Sequence, residues 1–512
     1  MHKSKTLSFV KTCSPMHKSK TLSFVLTLKL NTSSRDEKLL NKRIYIAFLM
    51  KNRLIHHARK VLSSMRRDKK YRALLAEYLS LRCKSNKASK QRLKDIGKQL
   101  SSIRIQYGLS EYQFHKWIAV QQRRYNKYID SLTAQKIATS VWRSVEVVLF
   151  RKGRSIHFQK LDTLVSLEGK NNVSGIRFKN GTLCWNGLVI QPQLRSGDQY
   201  AREALKHKVK YCRIMRKPMG ISWHWYLQLV LDGIPPVKHT VKEGRVGLDQ
   251  GTSTEAVFSE QGCILTELAV DDHNINRKVR HIYRKLDRSR RAANPDNFNP
   301  DGTVKPKKLR KPWIRSNTYK NDLMRLKTLR RRSSDTVRQS EEILADNILV
   351  NHGSDIVTEK MDYKALQLKA KEDRISLKTG KHLTRKRFGK SLAKHAPARF
   401  LNILERKLSY INKTVNYVDT WKFKASQYDH VLGDYINPGL SKRSKTVGGY
   451  IVQRDLYSAF LLWAALNDTT TDRNLCFDKF PLFLDYQGTC ITELLKDGKH
   501  HPSSFGLKDF AI

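Results

Sequence analysis

Acidic residues are scarce in this chain. Only 45 Asp and Glu stand against 99 Lys and Arg, leaving a formal net charge of +54 over 512 residues. Self-repulsion of that size works against a compact state and gives an enzyme of small metabolites nothing in return. A long polyanion would neutralise it and release counterions on binding. Long apolar runs are missing too: none approaches the roughly 20 residues that a membrane-spanning helix needs. The positive charge runs through the whole chain and is not gathered on one amphipathic helix, so a membrane surface is the poorer match and nucleic acid the better one. The seven cysteines (Cys13, Cys83, Cys184, Cys212, Cys263, Cys476 and Cys490) lie far apart, with no CxxC pair. An odd number at long spacings fits reduced thiols and not a disulfide framework. No secretory leader is evident. The start of the chain instead repeats itself, with MHKSKTLSFV at 1–10 and again at 16–25. The second copy runs into the strand-like alternation LTLKL, and the first is cut off by KTCSP, so residues 1–15 read as a duplicated, disordered start. Reduced thiols and the absence of an evident leader lead to the expectation of a cytoplasmic protein. Its hydrophobic content, 39%, is that of a folded chain.

What is present falls into blocks. A strand is expected near 20–30, and residues 36–150 read as basic helices. Within them GLSEYQF carries a helix start: Ser110 as cap, Gln113 completing a capping box, and Leu109 against Phe114 as a hydrophobic staple. Residues 155–235 change to strands. FKNGTLCWNGLVI holds two Asn-Gly turns, and ISWHWYLQLVL places Trp223, Trp225, Leu227, Leu229 and Leu231 on one face, which suggests a small barrel or curled sheet. From Arg245 three short strands follow: 245–249, 255–259 and 263–265. Residues 274–340 then form a helical block with 21 Lys and Arg against 5 acids, broken by NPDNFNPDGTVKPKK. A further helix is expected at 341–352, then the strand DIVTE, a helix near 397–412, the strand TVNYVD and a last amphipathic helix from Asp455. Three meandering strands followed by helix–strand alternation is the order of an RNase H-like α/β fold.

Asp249, Glu359 and Asp455 are separated by 110 and 96 residues. The first two end strands and the third opens a helix, and in such a sheet the ends of neighbouring strands converge on one edge. Each has an ordinary explanation alone: a turn aspartate, a solvated strand-end charge, a helix N-terminal acid. Brought together, three acids repel unless cations lie among them. Oxygen-only ligation selects Mg2+ or Mn2+, the ions of two-metal phosphodiester cleavage.

At these residues the chain resembles the TnpB family of transposon-encoded RNA-guided nucleases, relatives of the type V CRISPR effectors. GRVGLDQGTSTEAVFSEQGCI is similar to the first RuvC motif and SDIVTEKMDYKAL to the second. KFKASQYDH followed by VQRDLYSAF resembles the serine-glutamine signature and the third motif. The resemblance covers about 240–465 well. It implies an α/β RNase H-like (RuvC) nuclease core at 241–465 carrying the basic helical insert 274–340. It also implies an N-terminal wedge-like β-barrel domain (16–35 and 151–240), interrupted by a helical recognition lobe (36–150), and a tail at 466–512. Asp249, Glu359 and Asp455 would be the catalytic, metal-holding acids, and the partners a guide RNA and a target DNA opened into an RNA–DNA heteroduplex beside a short flanking motif. A homodimer stays open. Lys307, Lys308, Arg310, Arg325, Arg330, Arg331 and Arg332 are candidate phosphate contacts, and Trp117, Tyr125 and Trp313 candidates for stacking on bases. For each, a solvated helix face or core packing is the alternative. One departure is plain: the family's CxxC…CxxC zinc ribbon is missing, since 427–455 offers only His430, and no structural zinc is expected.

Three other functions share parts of this pattern. GLDQGTSTEAVFSEQG resembles the first phosphate motif of glycerol-kinase-like enzymes, but the only late glycine pair, Gly448-Gly449, sits in a basic hairpin. A guide-binding regulator without cleavage would share the charge, and an RNase H-like transposase would share the three acids.

Overall fold

The computed structural model describes residues 22–82, 87–150, 153–237, 239–368, 375, 388–436, 439, 442–497, 500 and 505–510. The duplicated start at 1–15, and Cys13 and Cys83, lie outside the described residues. The chain divides into two compact units, Met1–Pro236 and Val237–Ile512. Among the described residues no helix is long and apolar enough to cross a membrane.

In the first unit, β1 (Ser23–Leu30) alternates strictly, with Phe24, Leu26, Leu28 and Leu30 in the core. The helical block follows as α1 (Ser34–Arg67), α2 (Lys69–Leu81), α3 (Lys87–Gln106), α4 (Glu111–Arg124) and α5 (Ser131–Phe150). The Ser110 hydroxyl caps α4 by accepting the Gln113 N–H at 3.3 Å, and Leu109 and Phe114 are both buried. The strand region comprises β2 (Ser166–Glu168), β3 (Arg177–Lys179), β4 (Thr182–Trp185), β5 (Leu188–Ile190) and β6 (Pro192–Gln193). After the short helix α6 (Gln199–Ala204) come β7 (Val209–Met219) and β8 (Ser222–Asp232). Both Asn-Gly pairs are two-residue hairpin loops with positive φ at both positions, 49° and 71° at 180–181 and 39° and 74° at 186–187. That sign matches the twist of the strands they join. Trp225, Leu227, Leu229 and Leu231 of β8 are buried, whereas Trp223 is half-buried against the Arg216 guanidinium at 4.5 Å. Strand order is β2-β7-β8-β1-β6, with β3-β4-β5 as a separate sheet. The expected barrel is thus a five-stranded sheet whose edges, β2 and β6, do not pair with each other among the described residues.

The second unit opens with β9 (Arg245–Gln250), β10 (Thr254–Ser259) and β11 (Gly262–Glu267), an antiparallel meander. Next come α7 (His273–Ala293) and α8 (Asn317–Asn347). The separate helix expected at 341–352 is instead the end of α8 and one wider turn, Ile348–His352, stopped at Gly353. β12 (Asp355–Glu359), α9 (Tyr363–Leu366), α10 (Gly389–His395), α11 (Pro397–Ser409), β13 (Asn416–Val418) and α12 (Thr420–Phe423) follow. Two hairpins, β14 (Tyr428–Asp429) with β15 (Asp434–Tyr435) and β16 (Ser444–Val447) with β17 (Tyr450–Gln453), lead to α13 (Arg454–Trp463) and α14 (Arg473–Lys496). The central sheet has the order β11-β10-β9-β12-β13, with β12 parallel to both of its neighbours.

Strand alternation sorts the side chains of this sheet into two layers. Val246, Leu248, Val257 and Ile356 pack against the end of α8 and against α11. Ala256, Phe258 and Val357 pack against α13 and α14. Two expectations change here. Helix α13 is not amphipathic: every residue from Arg454 to Trp463 is buried, because the sheet covers one side and α14 the other. The stretch 466–512, expected as a tail, contains α14, a 24-residue helix that sends Cys476, Phe480, Phe483, Ile491 and Leu494 into that core.

Candidate active site

Three elements bring the acids together. β9 and β12 run parallel in a register that pairs Gly247 with Val357 and Leu248 with Thr358. Continuing it by one residue sets Glu359 beside Asp249, and alternation puts both on the face of Gly247 and Val357, the face that α13 covers. The contact there is backbone to backbone: a Cβ on Gly247 would lie 1.9 Å from the Ala459 carbonyl oxygen and 2.4 Å from the Trp463 nitrogen. Asp455 precedes Ala459 by four residues, a rise of about 6 Å on the same helix face. Two residues of strand, from Gly247 to Asp249, span a similar ~6.6 Å. The third acid therefore arrives over the strand-end pair.

Electrostatics agree with this placement. Burial, then the Asp455 charge, then the Glu359 charge push the Asp249 carboxyl well above the ordinary aspartate range. Glu359 is raised by burial and partly restrained by the Ala425 N–H, which donates to its Oε1 at 3.2 Å. That amide is aimed by Lys424, in the left-handed region at φ 48°. Asp455, 7% exposed, is held by cations. Arg443 Nη1 donates to its two carboxylate oxygens at 3.1 and 2.8 Å, and Arg454 Nη2 lies 3.4 Å away. Arg454 is itself anchored by the Lys442 carbonyl at 2.8 Å. Gln453 caps α13 by accepting the Leu456 N–H at 2.7 Å.

A divalent cation fits the donor chemistry of this site, which is all carboxylate oxygen, and would offset the burial and like charges that raise Asp249. The positions of the side chains are not closed around an ion. Both Asp455 oxygens are bonded to arginine. Among the described residues no group of three or more His, Cys, Asp or Glu is disposed to hold a metal.

Arg443, Arg454 and Gln453 were not among the sequence candidates, nor was Glu255, a fully buried carboxyl on β10. Its strand partner is Gln250, so it lies on the opposite face of the sheet from Asp249. The one cue was the charged residue itself, in a strand otherwise uncharged. At the expected zinc-ribbon position, His430 is buried, its Nδ1 2.7 Å from the Tyr457 hydroxyl. Burial depresses it to about 4, so it stays neutral.

The basic candidates divide. Lys307, Lys308 and Arg332 are exposed, and Arg310 is half-buried. Arg330 is exposed but lies over the Tyr283 ring at 5.1 Å. Arg325 and Arg331 pair with Asp322 at 3.4 Å and Asp335 at 2.5 Å on their own helix. The three proposed stacking residues are packed instead. Trp117 sits against His57 at 4.1 Å and Phe114 at 5.0 Å, Trp313 against Phe298 at 5.8 Å, and Tyr125 against the first unit's core. Phe114 is the i, i+3 neighbour of Trp117 on α4, whereas His57 and Phe298 lie too far along the chain for local sequence to pair them with Trp117 and Trp313.

No family model matches the chain, and no curated protein matches it. Among solved structures it is similar to one described as a cryo-EM structure of the Cas12f1–sgRNA–target DNA complex, at 12% identity and a TM-score of 0.42, covering 86% of this chain and 99% of that one. A second, a cryo-EM structure of a CRISPR-Cas12f ternary complex, aligns at 14% identity and a TM-score of 0.27, covering 86% of this chain and 87% of that one. Neither superposition is close enough to carry a reading of the site, which rests on the register of β9 with β12 and on the docking of α13.

Proposed function

We propose that this chain is an RNA-guided, divalent-metal-dependent DNA endonuclease of a mobile element, built on an RNase H-like core of the RuvC kind. What supports the proposal most is geometry: the strand register that sets Glu359 beside Asp249, and the close docking of α13, which carries Asp455, on that face. The order of the central sheet, an antiparallel meander joined to two parallel strands, supports the same reading. So does the charge of +54, which suits a protein holding a guide RNA, a target strand and their heteroduplex by the backbone. The TnpB-like motifs are the ground for the guide and for the flanking duplex motif.

Asp249, Glu359 and Asp455 would hold Mg2+ or Mn2+. Such ions, when bound, activate a water and steady the leaving oxygen of a phosphodiester. The protein's own contribution is positional. The Ala425 amide orients Glu359, Gln453 and the buried α13 fix the height of Asp455 over the sheet, and Arg443 and Arg454 hold the Asp455 carboxylate from the other side. The clamp of Arg443 on Asp455 favours one second reading, a guided DNA-binding regulator that does not cut.

Purified protein with its copurifying RNA, given a matched plasmid and Mg2+, separates the two. The expected outcome is cleavage that stops with EDTA. Asp249→Ala, Glu359→Ala and Asp455→Ala should each reduce it to background while guided binding in a mobility-shift assay persists. Undiminished cutting by any of the three variants would overturn the assignment of these residues. Sequencing the copurifying RNA tests the guide, and a transposase would instead bind its element's ends without one.

A further inference from the structure

Trp421, a residue with no part in the site described above, is 87% exposed. It lies on α12, the four-residue helix whose exit turn orients Glu359. Its neighbours alternate: Phe423 and Ala425 are buried in the core, whereas Lys422 and Lys424 face solvent. The backbone here is fixed, since the Asp419 carboxylate accepts the Trp421 N–H at 3.0 Å and the Lys422 and Phe423 amides donate to the Asp419 carbonyl. A second aromatic borders the same turn. Tyr435 is 44% exposed, its hydroxyl donates to the Lys422 carbonyl at 3.4 Å, and its ring lies 5.4 Å from the Lys424 ammonium. A large indole left in water on a rigid turn gains nothing for the fold. Near a second ring and two exposed lysines, it suits a planar base with flanking phosphates.

We propose that the α12 turn is a landing platform for single-stranded nucleic acid. A base stacks on Trp421, Lys422 and Lys424 meet the flanking phosphates, and the strand is thereby led towards Glu359. The platform deepens the nuclease reading and rests on it for the strand's destination.

The test uses the full-length protein in EDTA, so that binding is read without cleavage, with a fluorescein-labelled oligo-dT followed by anisotropy. Trp421→Ala should weaken binding roughly 5- to 150-fold, the range expected for loss of one base–aromatic stack. It should leave the slope of log Kd against log salt unchanged, while Trp421→Phe recovers most of the affinity. Lys422→Ala with Lys424→Ala should instead flatten that slope by about 1.4, as for two lost single-strand phosphate contacts. Trp421→Ala binding indistinguishable from wild type would overturn the platform, including the case in which this face docks a protein. Unchanged melting of each variant excludes misfolding. Cleavage in Mg2+ is scored on the same preparations. A wild type that binds through Trp421 but never cuts sinks the nuclease reading and keeps the platform. A wild type that cuts with Trp421-independent binding does the reverse.

Discussion

Glu255 is a carboxyl that binds its proton more tightly in the folded state than in the unfolded chain. It is fully buried on β10, with Oε2 accepting the Gln250 side-chain amide at 3.2 Å. Burial, opposed by that hydrogen bond and reinforced by the Asp249 charge, raises it well above the ordinary glutamate range. The folded state therefore retains a proton that the unfolded chain releases near pH 4. Stability tied to this group is fully present below that pH and falls as pH rises towards the raised folded value. Glu255→Gln, which has no charge to bury, should melt a few degrees above wild type at pH 7 and level with it near pH 4. An equal gap at both values would mean the carboxyl is not held protonated. At this scale the sequence displayed the three acids through their places at strand ends and a helix start. It hid Glu255 and the Arg443 clamp, whose roles depend on which residues lie across a sheet or at the foot of a hairpin.

Gly247 decides how closely α13 can approach β9. With the Ala459 carbonyl 1.9 Å from the position of a Cβ, Gly247→Ala must push the helix off the sheet, since neither backbone can yield locally. A loss of about 3 kcal/mol or more is expected, in the range of severe core overpacking, read as a lower urea midpoint. An unchanged midpoint would mean that α13 docks elsewhere. The elements near this contact were unequally legible. The meander β9–β11 and the Asn-Gly hairpins have strong local signals, positive-φ turns and alternation. Helix α13 was recognisable from its 3.6-residue spacing, but its polar side was expected to face water, and burial on both sides is a property of the layers around it. Helix α14 was missed because Pro481 interrupts its interior hydrogen bonding and Gly488 weakens its propensity, whereas packing against the core overrides both.

Charge is the property of the whole molecule that sequence alone states without loss. The structure adds which cations are free to meet a polyanion and which are spent on neighbours. Lys307 and Lys308 face solvent, whereas Arg325 and Arg331 pair with acids one turn away. In binding to duplex DNA, the Lys307→Ala, Lys308→Ala double variant should flatten the salt dependence of log K by about 2, uniformly across sequences. Arg325→Ala should change it little. Equal effects from both variants would show that helix-internal pairing does not withdraw these arginines from phosphate.

The burial of α13 also sets an order of events during synthesis. Asp249 and Glu359 leave the ribosome well before the helix that must slide over them, and α14, which seals that helix, comes later still. A chain stopped between Glu359 and Asp455 thus carries two of the acids without the third, and cannot assemble the candidate site.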